Sequence, residues 1–165
     1  MALQGPNMTD EKSDRPGVIA PPPLIFAAGL VIALLIQKAR PVPLWPGLSA
    51  VTLPLGASLI GAAVSLAAWA FRTMRRAGTH VDPYKPTTRL VSEGPFQFTR
   101  NPLYLSLTLI YLGITLLFNA LWPLLLLPFV LFVLRRGVID REERYLERKF
   151  GQEYAQYKNR VRRWI

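Results

Sequence analysis

The chain has 165 residues, enough for one compact domain, and it is 51% hydrophobic and only 18% charged, against about 25% charged residues in soluble domains. Its 20 Lys and Arg outnumber its 10 Asp and Glu, giving a net charge of +10. The absence of Cys excludes disulfides, thiolate metal sites and cysteine nucleophiles.

Three long runs contain no charged residue and no His: residues 16–37, 41–71 and 101–134, which are 22, 31 and 34 residues long. A transmembrane helix needs about 20 predominantly apolar residues. We therefore expect an integral membrane protein, and membrane orientation rather than nucleic-acid binding as the reason for the basic surplus.

The N-terminal half predicts a tail followed by two spans. Residues 1–17 form a polar tail that lacks the pattern of a secretory signal. Spans are predicted from Pro22 to Gln37 and from Leu48 to Phe71. The second span is rich in Gly, Ala and Ser, which let a neighbouring helix approach closely.

The third apolar run predicts a helical hairpin. As one helix its 34 residues would extend about 51 Å, whereas the hydrocarbon core is about 30 Å thick. Asn, Trp and Pro within residues 118–123 favour a turn at a membrane interface. We expect one arm from Leu103 to Phe118 and a returning arm from Leu124 to Arg136.

The segment from Val138 predicts an amphipathic helix, with a break at Gly151. The expected fold is thus all-α: a polytopic membrane helix bundle of about four spans, including a C-terminal helical hairpin, followed by a cytosolic amphipathic helix. Three regions are expected: the tail 1–17, two spans in 18–71, and a catalytic region in 72–165.

The basic residues predict the orientation. With four spans, both termini and the 72–100 loop share one side, which carries 18 Lys and Arg, whereas the other side carries only Lys38 and Arg40. By the positive-inside rule both termini are cytoplasmic, in a bacterial-type inner membrane or an endomembrane.

The loop 72–100 and the acidic pair Glu142 and Glu143 are the candidate site. Loops longer than about 12–15 residues are commonly functional. The two Glu have two readings: they stabilise a helix N-terminus, or they serve a site beside the membrane, where a carboxylate is costly. His80, the only His, is expected to be a solvated surface group, and no metal site is predicted.

An ordered set of short motifs identifies a family resemblance. In chain order they are Leu90-Val91, Gly94-Pro95-Phe96, Arg100-Asn101-Pro102-Leu103-Tyr104, the apolar hairpin, Glu142-Glu143 and Phe150-Gly151-x-x-Tyr154-x-x-Tyr157. Together they resemble the isoprenylcysteine carboxyl methyltransferase family and the related phospholipid methyltransferases. The resemblance covers about residues 72–164.

The resemblance implies an enzyme that uses S-adenosylmethionine, held between the loop before the hairpin and the helix after it. It implies catalytic roles for Asn101, Tyr104 and Glu142. The implied cofactor-binding residues are Thr88, Arg89, Leu90, Val91, Phe96, Arg100, Asn101, Pro102, Leu103, Tyr104, Glu142 and Glu143.

The methyl acceptor is expected to be a lipophilic small molecule or lipid with a carboxylate or amine head group, so that the partners are this substrate and membrane lipids. Val138 stands where the prenylcysteine enzymes have a substrate-binding Arg, and Arg136 or Arg141 are the candidates to replace it. Two alternatives remain open: a reductase of the membrane sterol-reductase type that uses NADPH, and a non-enzymatic membrane adaptor. The sequence does not indicate an oligomeric state.

Overall fold

The structure, a computed structural model, describes residues 16–47, 49–79 and 87–164. Five α-helices account for most of it: α1 (Pro22–Ala39), α2 (Ser49–Arg76), α3 (Pro102–Leu117), α4 (Leu121–Leu134) and α5 (Asp140–Arg160). A short 3-10 helix, Gly94–Gln97, precedes α3, and a π-helical turn, Arg135–Ile139, joins α4 to α5. The all-α prediction is confirmed.

The apolar helices form a membrane bundle. Pro22–Ala39 and Ala50–Arg76 are long and apolar enough to cross a membrane, as is the apolar part of the continuous stretch Leu121–Arg160, and Pro102–Leu117 is apolar but shorter. Large side chains such as Leu35, Phe129 and Phe132 are more than half exposed on the outer surface. Because lipid solvates such side chains, their exposure is compatible with a bilayer.

The predicted hairpin is present, with a turn at Phe118–Ala120 between α3 and α4. Asn119 adopts the left-handed conformation with φ of 44°. Its side-chain amide donates to the Trp45 carbonyl at 2.8 Å, and its side-chain oxygen accepts from the Trp45 N–H at 3.1 Å. The hairpin turn is therefore fixed to the loop between α1 and α2, at what we call the distal end.

At the opposite end, the basic end, α2 is longer than predicted. It continues to Arg76, five residues beyond the expected end at Phe71. Arg75 and Arg76 occupy its last turn, where positive charge interacts favourably with the helix dipole. The hairpin arms also begin slightly earlier than predicted, at Pro102 and Leu121, because the interfacial Trp and Pro residues can occupy a first helical turn.

Helix α2 packs closely against α3 through glycines. A Cβ atom added to Gly56 would lie 2.8 Å from the Gly113 carbonyl oxygen, and one added to Gly113 would lie 2.9 Å from the Gly56 carbonyl oxygen. Only residues without a side chain allow this backbone approach. This contact confirms the role predicted for the small residues of the second span.

We expect Gly56→Ala to destabilise the bundle by about 1–3 kcal/mol, since the new methyl group meets backbone that cannot move aside. Gly61→Ala is a matched control in the same helix, because a Cβ there meets nothing within 4 Å among the described residues. Thermal unfolding in detergent should show a lower Tm for the first variant alone. Equal Tm values would contradict the close approach of α2 and α3.

The α4–α5 connection is continuous, and the N-terminal segment passes against it. The Ile19 N–H donates to the Gly137 carbonyl at 3.1 Å, and a Cβ at Gly137 would collide with the Ile19 side chain. Within α5, Gly151 has φ of 50° and ψ of −120°, outside the helical region. The predicted break at Gly151 is thus confirmed, and α5 bends there.

Candidate active site

A cleft of about 160 Å³ opens at the basic end of the bundle. Its walls come from the end of α2, the segment 87–104 and one side of α5 between Glu142 and Tyr157. The lining includes most of the predicted cofactor residues: Arg89, Leu90, Val91, Phe96, Arg100, Asn101, Pro102, Leu103, Tyr104, Glu142 and Glu143. The structure therefore brings the loop before the hairpin and the acidic turn after it to one place.

Glu142 faces Tyr104 across this cleft. Tyr104, in the first turn of α3, donates its hydroxyl to Glu142 Oε1 at 2.7 Å. The bond joins two helices whose first turns are separated by the whole hairpin. It fixes the orientation of the Glu142 carboxyl group, whose other oxygen has no hydrogen-bond partner among the described residues.

The surroundings of Glu142 change its acidity. Burial raises the pKa of Glu142 to about 7, and the nearby negative charge of Glu143 also raises it, while the Tyr104 hydrogen bond acts in the opposite direction. Because desolvation disfavours the ionised form, a ligand that offers positive charge or hydrogen-bond donors would favour the carboxylate. Perturbed carboxyl groups in clefts are common at functional sites.

Glu143, the adjacent residue, is engaged in ion pairs. Arg163, near the C-terminus, binds it with two nitrogens, Nε at 3.0 Å and Nη2 at 2.5 Å. Arg100 Nη2 lies 3.3 Å from Glu143 Oε1, and the side chains of Arg100 and Glu143 are both only 9% exposed. The pKa of Arg163 is raised above its usual value by its hydrogen bond to Glu143. Both acidic groups therefore lie at the cleft, and among the described residues only Glu143 has basic side chains paired with it.

Two polar side chains of the cleft keep unused hydrogen-bonding capacity. Arg100 Nε and Nη1 and the Thr79 hydroxyl are buried, and they have no hydrogen-bond partner among the described residues. Buried donors without partners cost roughly 1–3 kcal/mol each. Such groups in a cleft point to a ligand that supplies the missing acceptors.

The walls of the cleft are tied together by tyrosines of α5. The Tyr157 hydroxyl donates to the Phe96 carbonyl at 2.8 Å, and the Tyr145 hydroxyl accepts from the Thr87 N–H at 3.1 Å. Burial raises the pKa of Tyr157 above its usual range, so its hydroxyl remains a donor. These bonds hold the segment 87–97 against α5.

Gly94 lets this segment approach α2. It has φ of +58°, and a Cβ there would lie 2.6 Å from Thr73 Oγ1. Both the backbone conformation and the close contact require glycine. The Gly-Pro-Phe motif therefore positions Phe96 in the wall of the cleft.

Two predicted site residues are placed differently from expectation. Thr88 does not line the cleft, and its hydroxyl donates instead to the Gly78 carbonyl at 3.0 Å. Asn101 does line it, but its side-chain amide donates to the Arg163 carbonyl at 2.9 Å. The geometry of Asn101 favours holding the C-terminal tail, and its catalytic role stays a prediction.

Other residues of the cleft were missed from the sequence: Pro16, Met74, Thr79, Thr87, Tyr145, Leu146, Tyr154 and Tyr157. Tyr154 and Tyr157 belong to a motif that the sequence had already singled out. Neither Arg136 nor Arg141 lines the cleft, and the Arg141 guanidinium donates to the Gly17 carbonyl. His80 lies outside the described residues, which contain no group of three or more metal-ligating side chains.

Comparison with known proteins identifies the family. The model of the phospholipid methyltransferase family matches residues 51–153, more than half of the chain. The chain belongs to the phospholipid methyltransferase family. The matched range begins in α2, runs through the hairpin and includes both Glu142 and Glu143, so it covers nearly all of the elements that form the cleft.

One relative of known sequence matches part of the chain, whereas no match was found among solved structures. The chain is 53% identical over 64 residues to an uncharacterized protein of Haemophilus influenzae; this range is 38% of the present chain and the whole of the relative. The family match and the long apolar helices together show an integral membrane protein of a methyltransferase family, and the predicted family resemblance is confirmed.

Proposed function

We propose that this protein transfers a methyl group from S-adenosylmethionine to a lipophilic acceptor with a carboxylate or amine head group. The reaction takes place at the cytosolic face of the membrane, with both termini on that side. This orientation is the one predicted from the sequence, in which 18 Lys and Arg fall on one side of the membrane and two on the other. The location of the cleft at the basic end supports this proposal.

The donors and acceptors of the cleft fit this cofactor. One observation carries the proposal: Arg100 and Glu142 lie in the same cleft, and among the described residues two guanidinium nitrogens of Arg100 and one carboxyl oxygen of Glu142 have no hydrogen-bond partner. The amino-acid end of S-adenosylmethionine carries a carboxylate and an ammonium group, which match Arg100 and Glu142 in charge. Thr79 offers a further hydroxyl.

The apolar lining supplies the remaining contacts. Phe96 and the ring of Tyr104 can pack on a nucleobase or on the positive sulfonium, and Leu90, Val91 and Leu146 exclude water. When bound, the cofactor supplies an electrophilic methyl group. The residues of the cleft then bind and orient the two reactants, which is the main requirement of a direct displacement.

The apolar surroundings support a lipophilic acceptor. The cleft lies at the first turn of α3, and the flanking helices expose large apolar side chains towards lipid. A lipid-like acceptor could therefore keep its chain in the bilayer and place only its head group at the cleft. A carboxylate, or an amine in its unprotonated form, attacks the methyl group with its own lone pair, so the displacement itself requires no general base.

The proposed function is tested with purified protein in detergent or in lipid nanodiscs. Calorimetric titration with S-adenosylhomocysteine should give saturable binding, and tritium from methyl-labelled S-adenosylmethionine should enter the organic-solvent extract of added lipids. A folded protein that binds neither nucleoside would contradict the proposal.

A substitution at Thr79 examines the unused hydroxyl. We expect Thr79→Val to weaken S-adenosylhomocysteine binding about tenfold, since one ligand hydrogen bond is lost, without loss of thermal stability. Thr88→Val is the matched control, because Thr88 points to the Gly78 carbonyl outside the cleft. Equal affinities of the two variants would contradict a role of Thr79 in binding.

A further inference from the structure

The C-terminal tail, residues 161–164, contacts both the residues that precede α3 and the first turn of α5. The Arg163 carbonyl accepts from Thr99 Oγ1 at 3.1 Å and from Asn101 Nδ2 at 2.9 Å. The neighbouring Arg162 carbonyl accepts from the Arg100 N–H at 3.0 Å. The tail is therefore attached through its backbone to the residues that start α3.

The Arg163 side chain is attached to the other half, the first turn of α5. Its guanidinium group binds both oxygens of Glu143 and also reaches Asp140 Oδ1 at 3.1 Å. A bidentate guanidinium–carboxylate pair is among the strongest polar contacts in proteins. Arg163 therefore neutralises most of the negative charge of Glu143.

The Arg163–Glu143 pair determines how many guanidinium nitrogens of Arg100 are left for a ligand. Arg100 shares Glu143 through one nitrogen only, at 3.3 Å, and keeps Nε and Nη1 without partners among the described residues. If Arg163 were missing, Glu143 would lose its bidentate partner while Arg100 stayed 3.3 Å away. The two side chains would then pair fully, because an unpaired buried charge is strongly unfavourable.

We propose that Arg163 is a positioning residue: by neutralising Glu143 from the tail, it keeps two guanidinium nitrogens of Arg100 free for the carboxylate of the cofactor's amino-acid end. The inference rests on the proposed function. It assigns the two guanidinium groups around Glu143 to different tasks, Arg163 to the protein and Arg100 to the ligand.

The test compares two nucleosides by calorimetry on the full-length protein. S-adenosylhomocysteine carries the amino-acid carboxylate, whereas 5′-methylthioadenosine lacks it. We expect Arg163→Met to weaken binding of the first about tenfold and to change binding of the second less than about twofold. A variant that had only lost its structure would bind both nucleosides more weakly.

Two further variants complete the design. Arg163→Lys retains the positive charge beside Glu143 and should recover at least half of the lost affinity, on a logarithmic scale. Arg162→Met is the matched control, because Arg162 is exposed and contributes its backbone carbonyl to the tail contact; it should bind both nucleosides as the parent does. Thermal unfolding of each variant shows independently whether that variant is folded.

The outcomes separate the two proposals. If the parent protein binds S-adenosylhomocysteine but Arg163→Met loses both nucleosides equally, or loses neither, the positioning role of Arg163 is wrong and the proposed function stands. If the folded parent binds neither nucleoside, both proposals are wrong.

Discussion

Glu142→Gln is expected to weaken S-adenosylhomocysteine binding by roughly 10- to 100-fold, the loss for a hydrogen bond to a charged group. The amide keeps the shape of the side chain and can still accept from Tyr104, so the change removes mainly the negative charge. Calorimetry at pH 8 measures the effect. Glu147→Gln, in the same helix but outside the cleft and paired with Lys158, should bind like the parent.

The raised pKa of Glu142 predicts that binding of S-adenosylhomocysteine depends on pH. Because burial raises the pKa of Glu142 to about 7, the group is mostly protonated below pH 7 and mostly ionised above it. Affinity for S-adenosylhomocysteine should therefore fall as pH drops from 8 to 6, and the dependence should disappear in Glu142→Gln. If Glu142→Gln shows the same pH dependence of affinity as the parent protein, a group other than Glu142 is responsible for it.

The effect of Glu142 on stability has the opposite sign. A carboxyl group whose folded pKa lies above its unfolded value of 4.5 binds a proton more tightly in the native state, so its contribution to stability declines as pH rises from about 4.5 to 7. At pH 8 Glu142→Gln should therefore match or exceed the parent in Tm. Reduced binding without reduced stability is typical of a functional residue.

Glu143→Gln, unlike Glu142→Gln, should reduce the stability of the protein. Removing one partner of a buried ion pair costs about 3–5 kcal/mol. Here Arg100 loses its pairing with Glu143, and Arg163 retains only its contact with Asp140. We expect a fall of about 3 kcal/mol in the free energy of unfolding, measured by denaturant or SDS titration monitored by tryptophan fluorescence.

The adjacent Glu142→Gln is the control for that measurement, since it lies in the same turn and makes the same chemical change. A loss of stability in both variants, or in neither, would contradict the division of roles between the two carboxylates. Two neighbouring Glu are about 100° apart around a helix, which is why one faces Tyr104 and the other the tail.

The membrane helices could be predicted because their signal is composition over long runs. Charge is excluded from about 20 consecutive residues wherever a helix crosses lipid, and residues 118–123 contained the turn chemistry of the hairpin. The extension of α2 to Arg76 was missed, since arginines at the end of a span read as loop even when the helix continues through them.

The cleft was predicted to a large extent because its residues lie in short motifs, but side-chain direction was not accessible. Thr88 and Thr79 show this: the predicted threonine points to the Gly78 carbonyl, and the missed one lines the cleft. The tail shows a second reason. Arg163 looks like one of many surface arginines in the sequence, and only the folded chain brings it to Glu143, 20 residues earlier.

Photo-crosslinking tests the central claim, that one cleft between the segment before the hairpin and α5 binds the nucleoside. Purified protein is irradiated with methyl-labelled S-adenosylmethionine, and labelled peptides are mapped by mass spectrometry. We expect label within residues 87–104 and 142–157, suppressed by excess S-adenosylhomocysteine. Competable label confined to the distal loop at residues 40–47 would contradict the account.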